Sequence, residues 1–89
     1  MISGEVSIVN KLGLHARAAS RLVNCASGFA SDIRLIKGAR SVNAKSIMGV
    51  LTLAAARGTD LVIETEGADE QEALDAIRQL IEDRFGEDE

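Results

Sequence analysis

The sequence predicts an α+β domain: a four-stranded antiparallel sheet with three helices on one face, in the order β-α-β-β-α-β-α. Three observations lead there. Stretches of alternating polarity recur at 2–9, 32–37 and 61–66, as in strands with one buried face. Between and after them lie stretches with apolar residues at helical spacing. The length of 89 residues, 46% of them hydrophobic, suits one modest core and a single domain over 1–89.

Ile2, Gly4, Val6 and Ile8 alternate with Ser3, Glu5, Ser7 and Val9, giving the first strand. Asn10 to Leu14 connects it to a helix over Ala16–Ser27, whose narrow apolar face is Ala19, Leu22, Val23 and Ala26. Gly28 stands where a left-handed cap residue belongs. Asp32 to Lys37 is the second strand, with Ile33 and Leu35 on one side, and Lys37-Gly38-Ala39-Arg40 turns into a short third strand at Ser41–Asn43. Ser46 is a good N-cap for a helix from Ile47 to Ala56, ended by Arg57-Gly58. In the fourth strand, Leu61 to Glu66, Leu61, Ile63 and Thr65 share a face. Asp69 with Glu72 is close to a capping box for the last helix, whose apolar side is Ala73, Ile77, Leu80, Ile81 and Phe85. Gly86 and an acidic tail follow, and the tail is expected to fray.

Composition excludes several function classes. The only aromatic residues are two Phe, too few for a surface that stacks nucleic-acid bases. No apolar run is long enough for a bilayer, and nothing at the start resembles a signal peptide. The single Cys25 forms no internal disulfide, reads as a small core residue of the first helix, and fits a reducing, cytoplasmic setting. Cys25 and His15 are the only soft ligands, which leaves a metal site without support, and no cofactor is called for. The net charge of −4 is uneven: residues 1–50 balance to +5 and residues 51–89 to −9. The basic half holds His15, so a phosphate group or an acidic protein is the expected partner there.

His15 is the only histidine, and it stands at the mouth of the first predicted helix with Arg17 two residues on. A lone histidine is most often functionless, and position is what raises the odds. A helix N-terminus offers unpaired N–H groups and partial positive charge, and Arg17 adds a permanently charged planar donor. Imidazole in that setting is pushed toward its neutral, nucleophilic form. It could attack a phosphoryl donor, and the same N–H groups could hold the added phosphate. Ser46 is sufficiently explained as an N-cap, although a phosphate at that helix end would also be comfortable. The helix behind it is apolar nearly all round, so an exposed Ile47-Met48 patch would be a docking surface.

Gly13-Leu14-His15-Ala16-Arg17, with Lys45-Ser46-Ile47-Met48-Gly49-Val50-Leu51 some thirty residues on, closely resembles the histidine-containing phosphocarrier proteins (HPr) of the bacterial phosphotransferase system. The likeness covers nearly the whole chain, and the element order matches that family's open-faced β-sandwich. It implies a carrier, not an enzyme, in which His15 takes a phosphoryl group on Nδ1 from enzyme I and passes it to EIIA domains for sugar uptake. It further implies that Arg17 helps hold the phosphate, and that Ala16, Ser20, Ile47, Met48, Leu51 and Thr52 meet the partners. Ser46 matches the position modified by an HPr kinase/phosphorylase in many members. No nucleic-acid or membrane partner is implied, and a monomer is expected.

Two features depart from the family pattern. Ala18 stands where proline commonly follows His-Ala-Arg, and the chain has no proline at all. Asn24, Ser27 and Gly49 replace lysines of several enteric members, which makes the docking surface less basic. Two alternatives stay open at this point: a nitrogen-branch regulatory carrier, and a small binding module that is never phosphorylated.

Overall fold

In the computed structural model, which describes residues 1–87, the chain runs β1 (Ile2–Ser7), α1 (Ala16–Ser27), β2 (Asp32–Lys37), β3 (Arg40–Asn43), α2 (Ile47–Thr52), β4 (Asp60–Glu66) and α3 (Glu70–Glu82). A 3₁₀ turn follows at Arg84–Gly86. The strands form one sheet in the order β1-β4-β2-β3, every neighbour antiparallel. The last strand thus inserts between the first two. Its register sets Leu35 beside Ile63, Ile33 beside Thr65 and Val6 beside Leu61, so the alternating apolar residues of three strands form one continuous inner face. Polar Glu5, Arg34 and Glu66 alternate with them and remain outside.

The helices bury their stripes against that face. Ala18, Ala19, Leu22 and Ala26 of α1 are fully buried, as are Ala73, Ile77 and Ile81 of α3. Val23 and Leu80 sit partly buried at the margin of this core. Phe85 lies beyond the end of α3, yet its ring closes the core at 1% exposure. Among buried polar groups, the Thr65 hydroxyl is satisfied by donating to the Glu70 carbonyl at 2.9 Å. Cys25 is only partly buried, and that burial raises its thiol pKa.

Four expectations are corrected. The helix expected over Ile47–Ala56 ends at Thr52. Leu53 and Ala55 are drawn into the core and Ala54 takes φ 51°, a left-handed conformation that stops the helix. Gly28 is right-handed at φ −77°. Its N–H and that of Phe29 bond back to Cys25 and Ala26 carbonyls, so the helix end closes with tight turns and needs no left-handed residue. Asp69 is the N-cap of α3 but makes no side-chain cap bond. Its carboxylate accepts instead from the Ala30 and Ser31 N–H groups, each at 2.9 Å, and from the Ser31 hydroxyl at 2.5 Å, tying the start of α3 to the entrance of β2. These bonds, that of Ser31 Oγ foremost, hold the Asp69 carboxyl below its ordinary range. Finally, the acidic tail does not fray at its first residue, because Glu87 folds back onto the loop before α1. Asp88 and Glu89 lie outside the described residues.

Candidate functional site

The loop from Asn10 to His15 is built from the inside out. Asn10 is fully buried and its amide donates to the Gly13 carbonyl at 2.9 Å, closing a tight turn. Gly13 takes φ +67°, and Leu14 then donates its N–H to the Ala55 carbonyl at 2.9 Å while its side chain enters the core. That bond explains why the chain must leave α2 early: the segment after α2 is the shelf on which this loop rests.

His15 follows as the N-cap of α1, in extended conformation at φ −74°, ψ 177°. Its carbonyl accepts from Ala19, beginning the helix, and its ring takes the capping role that Ser or Asp usually fills. Nδ1 accepts from the Arg17 N–H at 3.2 Å. Nε2 lies 2.5 Å from Oε2 of Glu87. The two contacts agree on one tautomer. A carboxylate offers only lone pairs, so Nε2 carries the proton, and an amide offers only hydrogen, so Nδ1 carries the lone pair. The nucleophilic nitrogen is therefore the one that points at the end of the helix.

Around it, the imidazole is about a quarter exposed and the Glu87 side chain only 12% exposed. Burial works to raise the Glu87 pKa, but hydrogen bonds from Asn10 and His15, with the nearby charge of Arg17, outweigh it and hold the carboxyl below its ordinary range. Ala16 and Arg17 are exposed beside the ring, and Ser20 is half-buried one turn on. A phosphate on Nδ1 would meet the Arg17 amide that now bonds the ring, within reach of a cation.

Ser46 caps α2 as the sequence predicts: its Oγ accepts from the Gly49 N–H at 3.2 Å. Behind it, Ile47 is 41% and Met48 69% exposed, whereas Val50 is buried and Leu51 half-buried. The Thr52 hydroxyl donates to the Gly49 carbonyl at 2.7 Å. Because α1 packs beside α2, the apolar patch belongs to the helical layer that also carries His15. Sequence reasoning missed three residues: Glu87 on the imidazole, Asn10 behind that carboxylate, and Leu12, which is 67% exposed at the tip of the loop. Leu12 could have been noticed as an apolar residue between Lys11 and Gly13. Nothing local announces the other two.

Known proteins resemble this chain in sequence and fold. A family model described as the phosphorylation site of the PTS HPr component matches residues 2–83. The phosphocarrier protein HPr of Cupriavidus necator is 51% identical over 89 residues, all of both chains. The crystal structure of HPr-C-His from Thermoanaerobacter tengcongensis superposes with a TM-score of 0.96 at 45% identity, covering all of both chains. A crystal structure of an HPr dimer from the same organism gives a TM-score of 0.79 at 46% identity, covering 98% of this chain and all of that one. A family match over nearly the whole length, joined to a nucleophilic imidazole capping a helix, leaves one conclusion: this chain belongs to the HPr family, the phosphocarrier proteins of the phosphotransferase system.

Proposed function

We propose that His15 is the residue that carries the phosphoryl group, accepting it on Nδ1 from phospho-enzyme I and surrendering it to EIIA domains. The observation that carries this reading is the pair of contacts on the ring, Arg17 N–H on Nδ1 and the Glu87 carboxylate on Nε2. The Nδ1 lone pair forms a bond to phosphorus as the bond to the donor imidazole breaks, and the electron pair of that bond stays with the donor. The Arg17 amide, freed from the ring, turns to a phosphate oxygen, and the Arg17 guanidinium offers a second donor. The transfer to EIIA is the same exchange with the roles reversed. The chain turns over no small molecule; it is a protein substrate of its partners at each step.

Ala16, Ser20, Leu51 and Thr52 would line the surface that those partners cover, with Ile47 and Met48 supplying its apolar centre. Ser46 would be a regulatory site for an HPr kinase/phosphorylase. A phosphate there adds negative charge to the docking face and repels partners that are themselves acidic. A cytoplasmic setting belongs to this proposal, together with a monomer as the working form. No helix among the described residues is long and apolar enough to cross a membrane.

The test is incubation with enzyme I and phosphoenolpyruvate. An acid-labile, base-stable adduct should form, and His15→Ala should abolish it. With the kinase and ATP, an acid-stable phosphate should appear instead and be lost in Ser46→Ala. A parent protein that takes no phosphate from a competent enzyme I would overturn the assignment of His15.

A further inference from the structure

Glu87 reaches the site by a route that costs the backbone. After α3 the chain passes through Arg84, Phe85 and Gly86 at φ 58°, 56° and 78°, a left-handed turn in which two residues are not glycine. That conformation is disfavoured for any residue with a Cβ. The turn is held from both sides. The Phe85 ring is buried in the core, and its carbonyl accepts from the Arg21 guanidinium on α1. The turn delivers Glu87 across 72 positions of sequence to the imidazole, where Oε1 accepts from the buried Asn10 amide at 2.8 Å and Oε2 faces Nε2 at 2.5 Å. Asn10 thus clamps both the loop carbonyl of Gly13 and the carboxylate. A strained turn, a buried aromatic plug and a buried amide all serve to place one carboxylate on one nitrogen.

We infer that Glu87 is a positioning residue for phosphoryl transfer: it holds the proton on Nε2 of His15, so that Nδ1 is the free nucleophile on the way in and a neutral imidazole is the leaving group on the way out. This rests on His15 being the phosphoryl carrier. When Nδ1 bonds to phosphorus, the ring gains positive charge while Nε2 keeps its hydrogen. The carboxylate balances that charge without taking the proton. When the N–P bond breaks, its electron pair returns to Nδ1, and the ring departs as neutral imidazole because the Nε2 hydrogen never left. Without a carboxylate, water takes over Nε2, the proton can be lost from the phosphorylated ring, and the group that must then depart is an imidazolate.

The proposal has a readout that needs no partner. In the parent protein, a hydrogen bond this short places the Nε2 proton at unusually low field in the NMR spectrum, correlated to the His15 ring nitrogen and slow to exchange with water. In Glu87→Ala that resonance should vanish while the backbone amide spectrum away from residues 10–17 stays in place. In Glu87→Gln the hydrogen bond to the amide oxygen keeps a proton signal, shifted upfield because the acceptor is neutral. Transfer from phospho-enzyme I and onward to an EIIA domain should slow about tenfold in both variants, less than the roughly hundredfold minimum for a group that itself transfers a proton, because Glu87 only holds one in a partly solvated site. Glu82→Gln, at the last position of α3, should transfer at the parent rate. A parent protein without the low-field proton, or variants that transfer at the parent rate, overturns the inference about Glu87. Failure of the parent to form any adduct overturns the reading beneath it, and the two results are told apart because the proton signal is recorded on the unphosphorylated protein.

Discussion

Gly13→Ala should separate two effects that usually travel together, backbone strain and close approach. Gly13 sits at φ +67°, and a Cβ there would stand 2.6 Å from the Ala55 carbonyl oxygen and 3.0 Å from the Ala56 Cα. Gly38, in the β2–β3 turn, has a similar φ of +59°, but a Cβ there meets nothing within 4 Å. The left-handed conformation alone costs a non-glycine residue about 1–2 kcal/mol, and this is all that Gly38→Ala should lose. At Gly13 the obstacle is backbone, which cannot rotate aside, and the obstructed carbonyl is the acceptor of the 2.9 Å bond from the Leu14 N–H. Leaving that pair stretched or unmade adds about 1–3 kcal/mol, so Gly13→Ala should lose roughly 2–5 kcal/mol in all. In a domain of this size each kcal/mol moves Tm by about 4–8 °C, so the two variants should melt on the order of 10 °C apart. Urea unfolding with an unchanged m-value would assign the loss to stability, and the rate of phosphoryl acceptance at a temperature where both are folded would report the displaced His15 loop. Equal destabilisation of the two variants would refute the claim that the loop rests on the 53–56 segment.

The remaining predictions concern charge, packing and docking. Asp69 is held below its ordinary range by bonds made only in the folded state, first of all from Ser31 Oγ and the Ala30 N–H. Its contribution is therefore present above the unfolded carboxylate range, about pH 4, and is lost as pH falls through the lower folded value. Asp69→Asn should lower Tm at pH 7, with a gap from the parent that closes in acid; a gap independent of pH would contradict this. Glu87 is depressed in the same sense, so its tie to Asn10 and His15 should survive to lower pH than a free glutamate would allow, as followed by the His15 ring resonances. Leu22→Ala removes a fully buried side chain of α1 and should cost about 2–5 kcal/mol, measured by urea unfolding. Met48→Asp, at a residue 69% exposed, should change stability by no more than about 0.5 kcal/mol. It should still raise the KM for partner transfer roughly thirtyfold, the equivalent of about 2 kcal/mol of lost apolar contact. A stable variant with unchanged KM would remove Met48 from the docking face.

Much of this protein was legible in its residues, and the reason is that the legible parts are local. The α1 boundaries, Ala16–Ser27, follow from apolar spacing, and β2 is found where alternation predicts it. Leu61, Ile63 and Thr65 are buried as their shared face requires. His15 could be singled out because it is the only histidine and Arg17 follows it at the start of a helix. Local pattern along the chain was enough to give the element order and the buried faces, and to single out His15 for test. Tertiary packing set the length of α2, because burying Leu53 and Ala55 and bonding the Leu14 N–H outweigh the helix preference of an alanine-rich run. It also turned the Asp69 carboxylate away from its own helix and toward Ser31. Above all, it brought Glu87 to His15. In the sequence Glu87 is one acid in a charged tail, and Arg84 and Phe85 before it have no local preference for left-handed backbone. Burial of Phe85 imposes that turn, and the buried amide of Asn10 fixes where the carboxylate lands. Such contacts arise from packing between distant segments, which no periodicity along the chain records.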